Sequence, residues 1–304
     1  MPARRSLLIA AALLVSAPSA FAQDKLQEKL NVVASFSILG DLVKNVGGDR
    51  VNVSTLVPPG GDAHVYTPTP ADAKRVAEAK LVVVNGLGFE GWLSRLVKAS
   101  GGKMTVITAT TGIKQRKLPG DHGHGHSHDE ADPHAWQSVS NVRTYVINIR
   151  EALIAADSAG AASYRANADT YLAELDKLDR DVKEAVAKLP AERRKVISTH
   201  DAFGYFADAY GITFIAPQGV STESEASAKD IAAIIRQIRA LKIPAVFLEN
   251  VTDPRLMRRI ASETGAMVGG TLYSDSLTDE KGDAPTYIGM VRHNIKALTS
   301  ALTN

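Results

Sequence analysis

Leu30-Asn31-Val32-Val33-Ala34-Ser35-Phe36 runs straight into Ser37-Ile38-Leu39-Gly40-Asp41-Leu42-Val43, and the change of rhythm within this stretch decides the fold. The first half is rich in strand formers (Val32, Val33, Phe36), whereas the second spaces its apolar residues as a helix does and ends at Gly47-Gly48. Another strand, Val51 to Val57, follows. Strand, helix and strand in succession are the unit of a parallel sheet covered by helices.

Reading outward, a proline- and glycine-rich loop, Pro58-Pro59-Gly60-Gly61-Asp62-Ala63-His64, precedes Thr69-Pro70-Ala71-Asp72. That tetrad combines a threonine cap, a proline at the first helical position and an acid at the third, so a helix to Lys80 is expected. Strands Leu81 to Asn85 and Met104 to Thr108 complete four β units. From Ala161 to Leu189 the apolar residues recur at helical spacing, giving one helix of about 43 Å at 1.5 Å per residue, which Pro190 ends. Beyond it the alternation restarts, with strands at Lys195 to Thr199, Ile212 to Ala216, Ala245 to Glu249 and Met267 to Thr271. Helices open at Ser227-Ala-Lys-Asp230 and after Asp253-Pro254. The two halves share architecture but no residue-level identity.

The first 22 residues have the layout of a secretory leader: Arg4 and Arg5, an apolar run from Leu7 to Val15, and Ala20-Phe21-Ala22 as the cleavage end. The apolar run is shorter than the ~20 residues of a membrane-spanning helix. A soluble, exported protein is expected, in a Gram-negative periplasm. The chain divides into a leader (1–22), an N-terminal α/β lobe (23–160), the long helix (161–189) and a C-terminal α/β lobe (190–304). Against 33 acidic residues stand 35 basic ones, two of them in the leader, so the mature chain carries no net charge and nucleic acid is an unexpected partner. There is no cysteine, hence no disulfide and no residue for an N-terminal lipid; no membrane anchor is expected, and a monomer is.

Four of the eight histidines, His122, His124, His126 and His128, alternate with small residues in the run 121–129. Neutral imidazoles at such density can share a cation such as zinc, as a mobile, accessory collector. Three more stand at strand ends: His64 after the second strand, His134 (in Asp132-Pro133-His134-Ala135-Trp136) after the fourth, and His200 at the close of the first strand of the second half. Asp275 follows the last strand. Singly, each has an ordinary reading: a solvated loop histidine, a helix cap, a hydrogen-bonded core histidine, a turn aspartate. Together they share the carboxyl edge of the predicted sheets, where α/β proteins gather ligands. Three imidazoles and one carboxylate close a tetrahedral zinc shell, and the harder carboxylate leaves room for manganese or iron.

These residues lie in passages that resemble the metal-binding solute receptors of ABC importers, the zinc and manganese class. The matching passages are Gly60-Gly61-Asp62-Ala63-His64-Val65-Tyr66-Thr67-Pro68-Thr69-Pro70, Asp132 to Trp136, Ser198-Thr199-His200-Asp201-Ala202-Phe203-Gly204-Tyr205-Phe206 and Tyr273-Ser274-Asp275-Ser276. Asn85 to Trp92 and Ser221 to Glu225 support them. The resemblance implies two α/β lobes joined by one long rigid helix, and a metal held between them by His64, His134, His200 and Asp275. It also implies a membrane permease as partner and transport, not catalysis. Zinc-type members carry histidine at the third ligand position, where manganese-type members carry glutamate, and they have a histidine-rich loop before the second ligand. Zinc is therefore expected, with manganese or a broader divalent range as the alternative. An exported zinc hydrolase would need an open coordination position and a base, for which Asp201 or Glu223 could serve, but no His-Glu-x-x-His pair is present. A metal buffer or an adhesin is the other rival.

Overall fold

The computed structural model describes residues 29–118 and 131–303; the leader, its cleavage point and the histidine run fall outside them. The opening stretch becomes β1 (Leu30–Phe36) and α1 (Ser37–Gly47), followed by β2 (Val51–Val57), α2 (Pro70–Glu78), β3 (Leu81–Val84), α3 (Leu93–Ser100) and β4 (Thr105–Thr108). From Val32 onward β1 is buried on both faces, because parallel neighbours flank it: Val32 pairs with Val53 of β2 and with Leu81 of β3. That explains its continuous apolar run. At the end of α1, Gly48 adopts φ 55°, a left-handed value that a side chain would disfavour, and the helix stops there.

Helices α4 (Val139–Ala156) and α5 (Ala161–Ala187) come next, then β5 (Lys195–Ile197), α6 (Gly204–Tyr210), β6 (Thr213–Ile215), α7 (Ala228–Leu241), β7 (Ala245–Glu249), α8 (Pro254–Thr264), β8 (Met267–Leu272) and α9 (Tyr287–Thr303). Both sheets are parallel and four-stranded, ordered β2-β1-β3-β4 and β6-β5-β7-β8. The same winding order is used twice. Either sheet therefore offers its carboxyl edge as a ligand platform.

Along α5 the buried positions are Tyr164, Ala168, Tyr171, Leu175, Leu178, Val182 and Val186, the inward stripe expected from the sequence. This stripe packs on α4, α1 and α9, so the long helix touches elements of both halves. The main apolar cluster is accordingly shared: Val32 and Leu39 from the first half lie in it with Phe247 and Leu272 from the second. A smaller cluster, including Ile197, Ile234, Val246, Met257 and Ile260, fills the far side of the second sheet.

The predicted cap of α2 is fully formed and reaches further than a cap. Asp72 Oδ2 accepts from the Thr69 amide at 2.6 Å, the Thr69 hydroxyl at 2.8 Å and the Tyr66 hydroxyl at 2.8 Å, while Asp72 also pairs with Arg75. It thereby pins the loop that leaves His64. Burial pushes the Asp72 carboxyl up, but the Thr69 donors, Arg75 and Tyr66 outweigh that and hold it below its ordinary value. The folded state thus binds this proton less readily than the unfolded chain, and the stability it lends is full at neutral pH and lost on acidification through the carboxylate range. Asp72→Ala should cost about 2 kcal/mol at neutral pH, seen as a melting temperature lowered by about 4–8 °C. The deficit should shrink as the medium is acidified.

Candidate metal centre

His64, His200 and Asp275 follow the carboxyl ends of strands, His134 stands just before the turn that leads into α4, and each is fixed by its neighbours. His64 follows β2 through a turn in which the Gly61 amide donates to Pro58 O at 3.0 Å. Gly60 sits at φ 76° and donates its amide to Ser276 Oγ at 2.8 Å and Leu277 O at 2.9 Å, close to Asp275 in the chain. Ala63 is held by Trp92, whose indole donates to its carbonyl at 2.8 Å, and the His64 amide donates to Asp62 Oδ1 at 2.9 Å. His134 is held on both sides: Asp132 Oδ1 accepts its amide at 3.0 Å and lies 2.9 Å from Nδ1. Asn85, at the end of β3, donates to Pro133 O at 2.9 Å.

From the second half, His200 follows β5 and Asp275 follows β8. Glu249, the last residue of β7, turns its buried carboxylate under His200. Its Oε1 accepts the amides of Thr199 at 2.7 Å and His200 at 3.0 Å, and its Oε2 lies 2.5 Å from His200 Nδ1. This carboxylate fixes the ring and leaves Nε2 facing the site.

His64, His134, His200 and Asp275 converge: each offers a ligand atom, and those atoms lie within 4.8 Å of one another. His64 Nε2 is 3.3 Å from His134 Nε2. Asp275 Oδ2 is 3.3 Å from His64 Nε2 and 3.1 Å from His200 Nε2, and Asp275 Oδ1 is 3.7 Å from His134 Nε2. His200 Nε2 and both oxygens of Asp275 are among the buried atoms of the described residues that find no well-formed hydrogen bond. Buried polar atoms are almost always paired, and three orphans aimed at a common point are the signature of a place built for a cation. The side chains of His134, His200 and Asp275 are wholly enclosed, and His64, at 5% exposure, is the member nearest solvent. Phe89 stands edge-on to His64 with ring centroids 4.8 Å apart, and Trp136 to His134 at 5.2 Å, so the wall on the first-half side is apolar.

Burial alone would disfavour a charged His200, but Glu249 and Asp275 outweigh it and raise its proton affinity well above that of an ordinary histidine. Burial likewise works against an ionised Asp275, and here His200 and His134 prevail, keeping it well below the usual carboxylate range. The site therefore keeps a fixed anion.

All four strand-end residues singled out in the sequence thus meet at one point. The collector residues His122, His124, His126 and His128 lie outside the described residues. Of the two acids considered as a hydrolytic base, Glu223 is exposed on a loop and Asp201 is partly buried with its amide on Gly219 O; neither belongs to the converging set. Sequence reading missed Glu249, for which the one signal was an acid closing an otherwise apolar strand, Ala245-Val246-Phe247-Leu248-Glu249.

Known proteins share this architecture and much of its sequence. The family described as zinc-uptake complex component A, periplasmic, matches residues 32–301. The manganese-binding lipoprotein MntA of Halalkalibacterium halodurans is 35% identical over 91% of this chain and 89% of its own. The iron-binding protein YfeA of Yersinia pestis is 34% identical over 96% of this chain and 91% of its own. Among solved structures, the periplasmic zinc-binding protein TroA of Treponema pallidum superposes with a TM-score of 0.82 at 33% identity, covering 90% of this chain and 99% of the other.

Proposed function

The chain belongs to the family of periplasmic zinc-uptake component A, and from that premise we propose that it captures a divalent transition-metal ion and passes it to an ABC-type membrane permease. The observation that carries this reading is the convergence of His64, His134, His200 and Asp275 with orphaned buried ligand atoms. The family is one of substrate-binding receptors, not of enzymes.

Manganese is the cargo we favour, where the sequence led us to expect zinc. A relative similar over nearly the whole chain is named for manganese and another for iron, which favours a cargo other than zinc. Both oxygens of Asp275 face imidazoles, so the carboxylate can bind through both and offer five donors in all. A five-donor set suits manganese or iron as well as it suits zinc. Zinc remains the second reading, supported by the three imidazoles and by the zinc-binding relative. Metal content of protein purified without added metal, with anomalous scattering collected either side of the manganese and zinc edges, decides between them. A protein that binds no divalent transition-metal ion at the quartet refutes the receptor reading.

A lipoprotein among the relatives stands against the expectation of an unanchored receptor. The present sequence holds no cysteine to carry such a lipid, and membrane fractionation of cells expressing it is the direct test. For the histidine run we keep the accessory role. Deleting residues 121–129 is expected to leave one tight site of unchanged affinity while removing weak additional binding, measured by calorimetric titration.

A further inference from the structure

Two ligands of the first half are written in the same three-residue form, Asp62-Ala63-His64 and Asp132-Pro133-His134. In both, one aspartate oxygen accepts the amide of the histidine two residues on, at 2.9 Å and 3.0 Å. The other oxygen of each aspartate is linked to the second half of the molecule, directly for Asp62 and through Arg116 for Asp132. Asp62 Oδ2 accepts from the Thr222 hydroxyl at 2.6 Å, in the loop between β6 and α7. Asp132 Oδ2 takes Arg116 Nη1 at 3.3 Å, and the same guanidinium donates Nε to Asp208 Oδ2 on α6 at 3.2 Å. The Arg116 amide donates to Tyr205 Oη, also on α6, at 2.9 Å. The approach is close: a Cβ on Gly204, the first residue of α6, would come within 2.5 Å of Arg116 Cζ and 2.6 Å of Asp132 Oδ2.

We infer that the two Asp-x-His units couple ligand placement to lobe closure: Asp62 holds His64 with one oxygen and Thr222 of the opposite lobe with the other, and Asp132 holds His134 with one oxygen and, with the other, Arg116 of its own lobe, which in turn reaches Asp208 and Tyr205 of the opposite one. Asp62, Asp132, Thr222 and Arg116 are positioning residues; none belongs to the converging quartet. Separation of the lobes by little more than a hydrogen-bond length breaks the Thr222 tie to Asp62 and the ties of Arg116 to Asp208 and Tyr205. Asp62 is then free to turn toward water, and Arg116, released at its far end, holds Asp132 less firmly, so His64 and His134 lose support that aims them. Release of the ion consequently needs no wide hinge, which the shared core and the long α5 packed on both halves resist.

The inference rests on the receptor reading, and its test separates the two. Metal-loaded full-length mature protein is mixed with excess chelator and the release rate of Mn²⁺ (or of Zn²⁺, should that be the ion bound) is followed by stopped flow. Thr222→Val is expected to release the ion about tenfold faster than wild type, the loss of one hydrogen bond to a charged group. Thr222→Ser should restore the wild-type rate. Arg116→Gln should accelerate release comparably, Arg116→Lys less, and the double variant T222V/R116Q more than either alone. The melting temperature of metal-free Thr222→Val should match wild type, since this part-exposed loop bond carries little of the fold. Equal release from wild type and Thr222→Val, or failure of Thr222→Ser to restore the rate, would overturn the coupling and leave the receptor reading standing. Wild-type protein that binds no metal would overturn both.

Discussion

Asp275→Ala is expected to abolish tight metal binding and to leave the fold in place. Asp275 is the only anion among the four converging residues, and its two oxygens face all three imidazoles at 3.1–3.7 Å. It is wholly buried. Removing one member of an enclosed, oppositely charged set costs about 3–5 kcal/mol, because the partner's charge stays buried and uncompensated. For a bound divalent ion this corresponds to an affinity lower by roughly two to three and a half powers of ten. The measurement is calorimetric titration of metal-stripped protein with Mn²⁺ and Zn²⁺. Far-ultraviolet circular dichroism should be unchanged, since the chain entering Asp275 is anchored independently: the Tyr273 amide donates to Asn294 Oδ1 at 2.9 Å and its carbonyl accepts from Asn294 Nδ2 at 2.8 Å. Tight binding by Asp275→Ala would remove this residue from the site.

The sheets and the four-residue set were legible because both rest on patterns that physics repeats. Parallel strands buried on both faces carry unbroken apolar runs, caps recur at Thr69/Asp72 and Ser227/Asp230, and ligands collect at one sheet edge. What the sequence hid lies where strands give way to the site. β3 was expected to reach Asn85 and β5 to reach Thr199, yet they end at Val84 and Ile197. The reason is the same in both halves. The Asn85 amide donates to Glu90 Oε1 at 2.6 Å and the Thr199 amide to Glu249 Oε1 at 2.7 Å, so a buried carboxylate, not a neighbouring strand, takes the hydrogen bond. An isolated glutamate in a sequence reads as surface, and only the fold shows that these two bend the chain toward the centre. His293 is hidden in the sequence for a related reason: it falls in a plain helical run, Met290 to Ile295, yet it is half-buried against Tyr273 and reaches Thr271 O at 3.1 Å, because α9 lies across β8.

Glu249→Gln is the second large effect, and its direction follows from what the carboxylate does for His200. With an ion on Nε2, His200 must be neutral and hold its remaining proton on Nδ1, where Glu249 Oε2 receives it at 2.5 Å. A glutamine there can keep its carbonyl on the Thr199 and His200 amides only by turning its NH₂ toward that N–H, donor against donor. Its affinity for the ion should fall about 10–100-fold, the usual cost of losing an outer partner of a metal-bound histidine. The same carboxylate, with Asp275, raises the proton affinity of metal-free His200 well above the ordinary value. Stability from that charged ring is complete below the unfolded value of about 6.5 and fades as pH rises through the higher folded one, so the proton that the ion must displace is held to higher pH than on a plain histidine. Competition by protons therefore begins above the pH of about 6.5 at which a plain histidine would start to lose its metal. Titrations in buffers of different ionisation enthalpy should report close to one proton released per ion in wild type and fewer in Glu249→Gln, whose pH dependence of binding should shift toward acid. Equal proton release by the two proteins would mean that His200 is not the group the metal discharges.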